Sequence, residues 1–117
     1  MGFLTTHVLD TAHGCPGNAI RVQLFRFRDN RRELLNEMIT NADGRTDSAI
    51  LPESEFLVGK YELVFAVGDY FKAKGVELAD PAFIDDVSIH FGIADEGSHY
   101  HVPLLVSPYS YSTYRGS

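Results

Sequence analysis

Apolar and polar residues alternate along much of this chain with a period of two, not 3.6. Val87, Ile89, Phe91 and Ile93 form one such series, and Tyr100, Val102, Leu104 and Val106 another. Successive side chains of a strand point to opposite faces of its sheet, so each series marks a strand with one buried face. The pattern predicts strands over Leu4 to Asp10, Ala19 to Arg28, Glu33 to Thr40, Lys60 to Val67, Val87 to Ala94, His99 to Ser107 and Tyr109 to Arg115. Clusters of Gly, Pro, Asn and Asp separate them: His13 to Asn18, Asp29-Asn30, and Ala94 to Ser98. Only Gly68 to Lys74 suits a helix, closed by Gly75 as a left-handed carboxyl cap. Many short strands and one short helix predict an all-β sandwich.

The parity of each strand also says what faces outward. If Tyr100, Val102, Leu104 and Val106 line the core, His99, His101, Pro103, Leu105 and Ser107 share the opposite face. Ser88 and His90 turn outward in the same way. The first strand reads either way, since Leu4, Thr6 and Val8 oppose Thr5, His7 and Leu9; with Val8 inward, His7 and Leu9 point out. An outer face that mixes Leu105, Pro103 and Leu9 with histidines is suited to being covered, as an oligomer contact or a ligand wall.

Composition narrows the class. The 117 residues suit one domain spanning 1–117, with 44% hydrophobic and 22% charged content. Sixteen acids against ten bases give a net charge of −6, which disfavours nucleic acid as a partner. Arg26, Arg28, Arg31 and Arg32 read as a solvated strand edge and turn. The single cysteine, Cys15, admits no internal disulfide and reads as an incidental thiol in a turn. MGFLTTHVLD lacks the pattern of a secretory leader, and no apolar run approaches a membrane span, so no membrane contact and a cytoplasmic location are expected.

Candidate chemistry centres on histidine and arginine. His99 and His101 lie two apart on one strand face, a spacing that chelates zinc when a third ligand such as His7, His90 or Asp95 joins. Two ligands do not define a site. No G-x-S-x-G elbow is present, and the acid pairs Asp85-Asp86 and Glu53/Glu55 fall in polar connections. There remain His7, Arg45, His101 and the terminal Tyr114-Arg115-Gly116-Ser117. A neutral histidine takes a proton from water, and an arginine fork holds a developing oxyanion, so such a set hydrolyses a polarised amide without metal. Spacing alone leaves the alternative of scattered polar residues open.

LTTHVLDTAHGCPGN at 4–18, GRTD at 44–47 and HYHVPLLVSPYSYSTYRGS at 99–117 closely resemble the 5-hydroxyisourate hydrolases, the transthyretin-related enzymes of urate breakdown. The terminal YRGS is the most specific element, since transthyretin lacks it. The resemblance implies a transthyretin-like sandwich of two four-stranded sheets, assembled as a homotetramer, a dimer of dimers around a central channel that holds the active sites. It implies hydrolysis of 5-hydroxyisourate to 2-oxo-4-hydroxy-4-carboxy-5-ureidoimidazoline, with no metal or organic cofactor. It transfers catalytic roles to His7, Arg45, His101 and Ser117, and substrate binding to His7, Arg45, Tyr114 and Ser117; His99 receives none. Ser112, Tyr114 and Gly116 are expected on the channel face. The alternative function is a transthyretin-like carrier of a small ligand without turnover, and the bland reading is a monomeric immunoglobulin-like module.

Overall fold

The computed structural model describes residues 2–116. The strands are β1 (Leu4–Asp10), β2 (Cys15–Pro16), β3 (Arg21–Arg28), β4 (Arg31–Ile39), β5 (Gly59–Ala66), β6 (Asp86–Ile93), β7 (Tyr100–Val106) and β8 (Tyr111–Thr113). One helix, α1 (Val67–Ala73), follows β5, and a single 3₁₀ turn covers Glu53–Glu55. Two four-stranded sheets result, ordered β2-β1-β7-β8 and β4-β3-β5-β6. They pack as a sandwich whose core includes Leu4, Val8, Leu24, Leu63, Phe65, Phe71 and Leu104, all fully buried. Among the described residues no helix is long and apolar enough to cross a membrane.

The expected core stripe is buried in β7, at Tyr100, Val102, Leu104 and Val106, although Pro103 of the opposite parity is buried as well; in β6 Ser88 and His90 are exposed as expected. β1 settles its two readings: Leu4, Thr6, Val8 and Asp10 are buried, and Thr5, His7 and Leu9 take the outer face. Thr6 tolerates burial because its hydroxyl donates to the Val102 carbonyl at 2.7 Å. Gly75, at φ 81°, ends α1 in the left-handed conformation expected of it.

Several boundaries differ from those read in the sequence. Ala19 has a positive φ of 62° and belongs to the turn before β3. Cys15 lies in β2, which pairs with β1 through Leu9 and Pro16. His99 precedes β7, while Tyr109 and Ser110 form a turn closed by Ser110 N–H donating to the Ser107 hydroxyl at 3.1 Å. Arg26 and Arg32 are not freely solvated. The Arg26 side chain is 14% exposed and bonds Glu33, and Arg32 lies 3.9 Å over the Phe25 ring while bonding the buried Glu62 carboxylate at 3.0 Å.

The last strand stops early for a stereochemical reason. In the β7–β8 register, His101 N–H donates to the Gly116 carbonyl, so Pro103, two residues on, should donate to the same side. Proline has no N–H, and its carbonyl is taken by the Thr113 hydroxyl at 2.7 Å. The ladder therefore lapses at Tyr114 and Arg115 and resumes at Gly116, which bridges His101. That single bridge brings Gly116 back to the edge of β7.

Candidate active site

β1 and β7 run parallel, with Thr5 beside His101, His7 beside Pro103 and Leu9 beside Leu105. All six are on the sheet's outer face. Sequence parity thus places Thr5, His7 and His101 on one surface, although the two strands lie at opposite ends of the chain.

The loop before the 3₁₀ turn supplies the cation. Asn41 organises it: the side-chain oxygen accepts from Asp43 N–H at 2.9 Å and Arg45 N–H at 3.2 Å, and its own N–H donates to the Arg45 carbonyl at 2.7 Å. Gly44 sits at φ 76°, and a Cβ there would lie 2.4 Å from the Val8 carbonyl oxygen. Only glycine fits so close a backbone approach. Gly44 in turn accepts from Val8 N–H at 2.8 Å, which sets Arg45 opposite His7 as an antiparallel bridge.

His7 Nε2 lies 2.9 Å from the Asp43 carbonyl. A carbonyl only accepts, so neutral His7 carries its proton on Nε2 and leaves Nδ1 as the acceptor. Burial, then the Arg45 cation, pull its pKa below the ordinary 6.5, against an opposing pull from Asp43. His101 is likewise held below 6.5, by burial first and then by Arg45, His99 and His7. Both imidazoles are biased toward the neutral form that a base requires.

Arg45, Thr46, Asp47 and Ala49 from the loop line an open cleft of about 410 Å³ together with Thr5, His99 and His101. His7 stands beside Arg45 and is not part of the cleft wall. The structure thus brings together His101, Arg45 and, at their flank, His7. Tyr114 remains 61% exposed outside this cleft, and Ser117 lies outside the described residues. Sequence reasoning passed over Thr5, whose hydroxyl is 2.7 Å from His99 Nε2 and 2.8 Å from His101 Nδ1. Parity placed Thr5 on the face of His7, but the parallel register that sets it beside His101 is visible only in the fold. As for zinc, no three His, Cys, Asp or Glu side chains among the described residues converge in a metal-holding group. A larger cleft of about 680 Å³, beside Phe27, Lys60 and His90 at the end of the other sheet, contains none of these groups.

Comparison with known proteins follows the same lines. The HIUase/Transthyretin family model matches residues 4–116. The chain belongs to this family. A 5-hydroxyisourate hydrolase of Pseudomonas aeruginosa is 57% identical, covering 100% of this chain and 93% of its own length. The structure of Klebsiella pneumoniae 5-hydroxyisourate hydrolase superposes with a TM-score of 0.82 at 34% identity, covering 100% of both chains. The crystal structure of an (S)-allantoin synthase gives a TM-score of 0.93 at 47% identity over 99% of this chain; that match spans 44% of the synthase. The two-sheet sandwich expected from the sequence is therefore the family's fold as well as this chain's.

Proposed function

We propose that this family member is a hydrolase that opens 5-hydroxyisourate in purine catabolism, with His101, Arg45 and His7 as its working groups. The observation that carries the residue roles is that Arg45 and a neutral-biased His101 line the same cleft, close enough for the Arg45 charge to act on the imidazole. His101 takes a proton from water as the water oxygen attacks the C6 carbonyl carbon. Arg45 donates to the carbonyl oxygen, on which negative charge grows as the tetrahedral centre forms. Collapse of that centre breaks the N1–C6 bond, and the proton held on His101 passes to the departing N1. His7, tied through Nε2 to Asp43, offers Nδ1 to orient the water or the substrate edge. A homotetramer, a dimer of dimers, covers the outer face that bears Leu9 and Leu105, and the family resemblance assigns Ser117 and Tyr114, the latter outside the cleft of a single protomer, to the substrate's surroundings in that assembly.

Such a cleft suits a small polar heterocycle better than an apolar ligand, which speaks against the carrier reading. The test is to oxidise urate with urate oxidase and follow the decay of the intermediate's absorbance with and without the protein. Acceleration over spontaneous decay is expected. An unchanged decay at micromolar protein overturns the hydrolase reading.

A further inference from the structure

The Thr5 hydroxyl stands between two imidazoles, 2.8 Å from His101 Nδ1 and 2.7 Å from His99 Nε2. A hydroxyl has one proton to give, so it donates to one nitrogen and accepts from the other. The two tautomers are therefore coupled. Either the chain runs from His101 Nδ1–H to Thr5 to His99 Nε2, or it runs in reverse and puts the His101 proton on Nε2.

The surroundings select the first direction. Arg45 lines the same cleft and its charge acts on His101, so its positive field favours a lone pair on the cleft side of the ring over an N–H dipole. The position of His99 is fixed: it stacks on Phe3 with ring centres 4.1 Å apart and planes 18° from parallel, and its carbonyl accepts from the Arg115 guanidinium at 3.5 Å. Thr5 itself is held in β1 by its register with His101.

We propose, resting on the hydrolase reading above, that Thr5 and His99 are positioning residues that hold His101 as the Nδ1–H tautomer, with Nε2 unprotonated toward the cleft. As Nε2 accepts the proton of water, positive charge forms on the ring, and the Nδ1–H bond to Thr5 strengthens. Thr5 passes that polarisation to His99 by donating to its Nε2. No bond to substrate involves either residue. The charged and titratable groups facing His101 are His7 from β1, Arg45 and Asp47 from the loop, and His99 before β7.

The free protein tests the tautomer without any substrate. Nitrogen NMR of the imidazoles at a pH where both are neutral should find His101 protonated on Nδ1 in the wild type and on Nε2 in Thr5→Val, with Thr5→Ser restoring the wild-type state. In the decay assay, Thr5→Val should lose about 10- to 100-fold in kcat with KM within about twofold, and Thr5→Ser should recover most of it. His99→Phe, which keeps an aromatic ring on Phe3, should lose kcat in the same way. A wild-type His101 protonated on Nε2 overturns the proposal, as does Thr5→Val with wild-type kcat. An intact Nδ1–H tautomer in a protein that leaves 5-hydroxyisourate untouched would refute the hydrolase reading while leaving the tautomer assignment standing.

Discussion

Replacing Gly116 by alanine should damage turnover by pressing on one ring. A Cβ at Gly116 would sit 3.1 Å from His101 Cδ2, 3.2 Å from its Cβ and 3.5 Å from Cγ, so the imidazole has to give by a few tenths of an ångström. Retreat is obstructed. The two backbones are locked by Gly116 N–H donating to the His101 carbonyl at 2.7 Å and the return bond at 3.2 Å, and Nδ1 is anchored to Thr5 at 2.8 Å. Overpacking of this kind costs about 1–3 kcal/mol, and here the low end applies because Gly116 lies at the surface end of the sheet. A misplacement near 1 Å at a reacting group costs about 10²-fold in rate, so a few tenths should lower kcat by about three- to tenfold. Steady-state decay of freshly generated 5-hydroxyisourate measures kcat and KM, and thermal unfolding measures the stability change. Gly92→Ala is the control, since a Cβ there meets nothing closer than the Gly59 carbonyl at 4.0 Å. If Gly116→Ala turns over like the wild type, the contact with His101 does not hold the base, and the reasoning fails.

Other perturbations read different links of the same argument. Arg45→Gln should cost about 10² to 10³ in kcat with folding intact, measured by the same decay, because a donor to the growing oxyanion is lost. It should also move the acid limb of the kcat/KM profile to higher pH, since the Arg45 cation is one of the causes that lower the His101 pKa. The wild-type limb should lie below pH 6.5, and an acid limb above that value contradicts the assignment of His101 as base. Folded His7 and His101 bind protons less readily than their unfolded forms, so they contribute stability at neutral pH that falls as pH drops below 6.5 toward the folded pKa values. Urea unfolding of His101→Asn should show a weaker loss across that window than the wild type. Tyr70→Phe should lower stability by about 1–3 kcal/mol in urea melts, because Tyr70 donates at 2.7 Å to the buried Asp10 carboxylate.

Strand parity carried much of this organisation, because one face of each sheet is buried and a period of two then decides what the other face shows. It put His101 and Leu105 outward in β7 and, with Val8 inward, His7 and Leu9 outward in β1, as they lie; Pro103, expected outward with them, is buried. What parity does not encode is pairing. That β1 and β7 are neighbours, parallel and in the register that sets Thr5 beside His101, is a long-range fact to which neither segment's own pattern points. β2 escaped notice because Cys15–Pro16 is too short to alternate and exists only through its bonds to β1. The lapse at Tyr114 and Arg115 is written at a distance too, in the missing donor of Pro103. Arg45 stands out in the sequence by its chemistry and takes its role from the family motif, while its placement depends on Asn41 and on the tight approach of Gly44 to Val8.

The parallel seam between β1 and β7 has a consequence for when the site comes into being. Thr5 and His101 are separated by 96 residues, so the pair cannot form until the chain through His101 has been synthesised and has left the ribosome. Closing a loop that long costs entropy that only late, cooperative packing of the sandwich offsets. β1 must wait with its outward hydroxyls and imidazole unpaired, and no amino-terminal fragment carries a working cleft. Catalytic competence and completion of the fold therefore arrive in the same step, and recovery of activity on refolding should coincide with the slowest phase of structure formation.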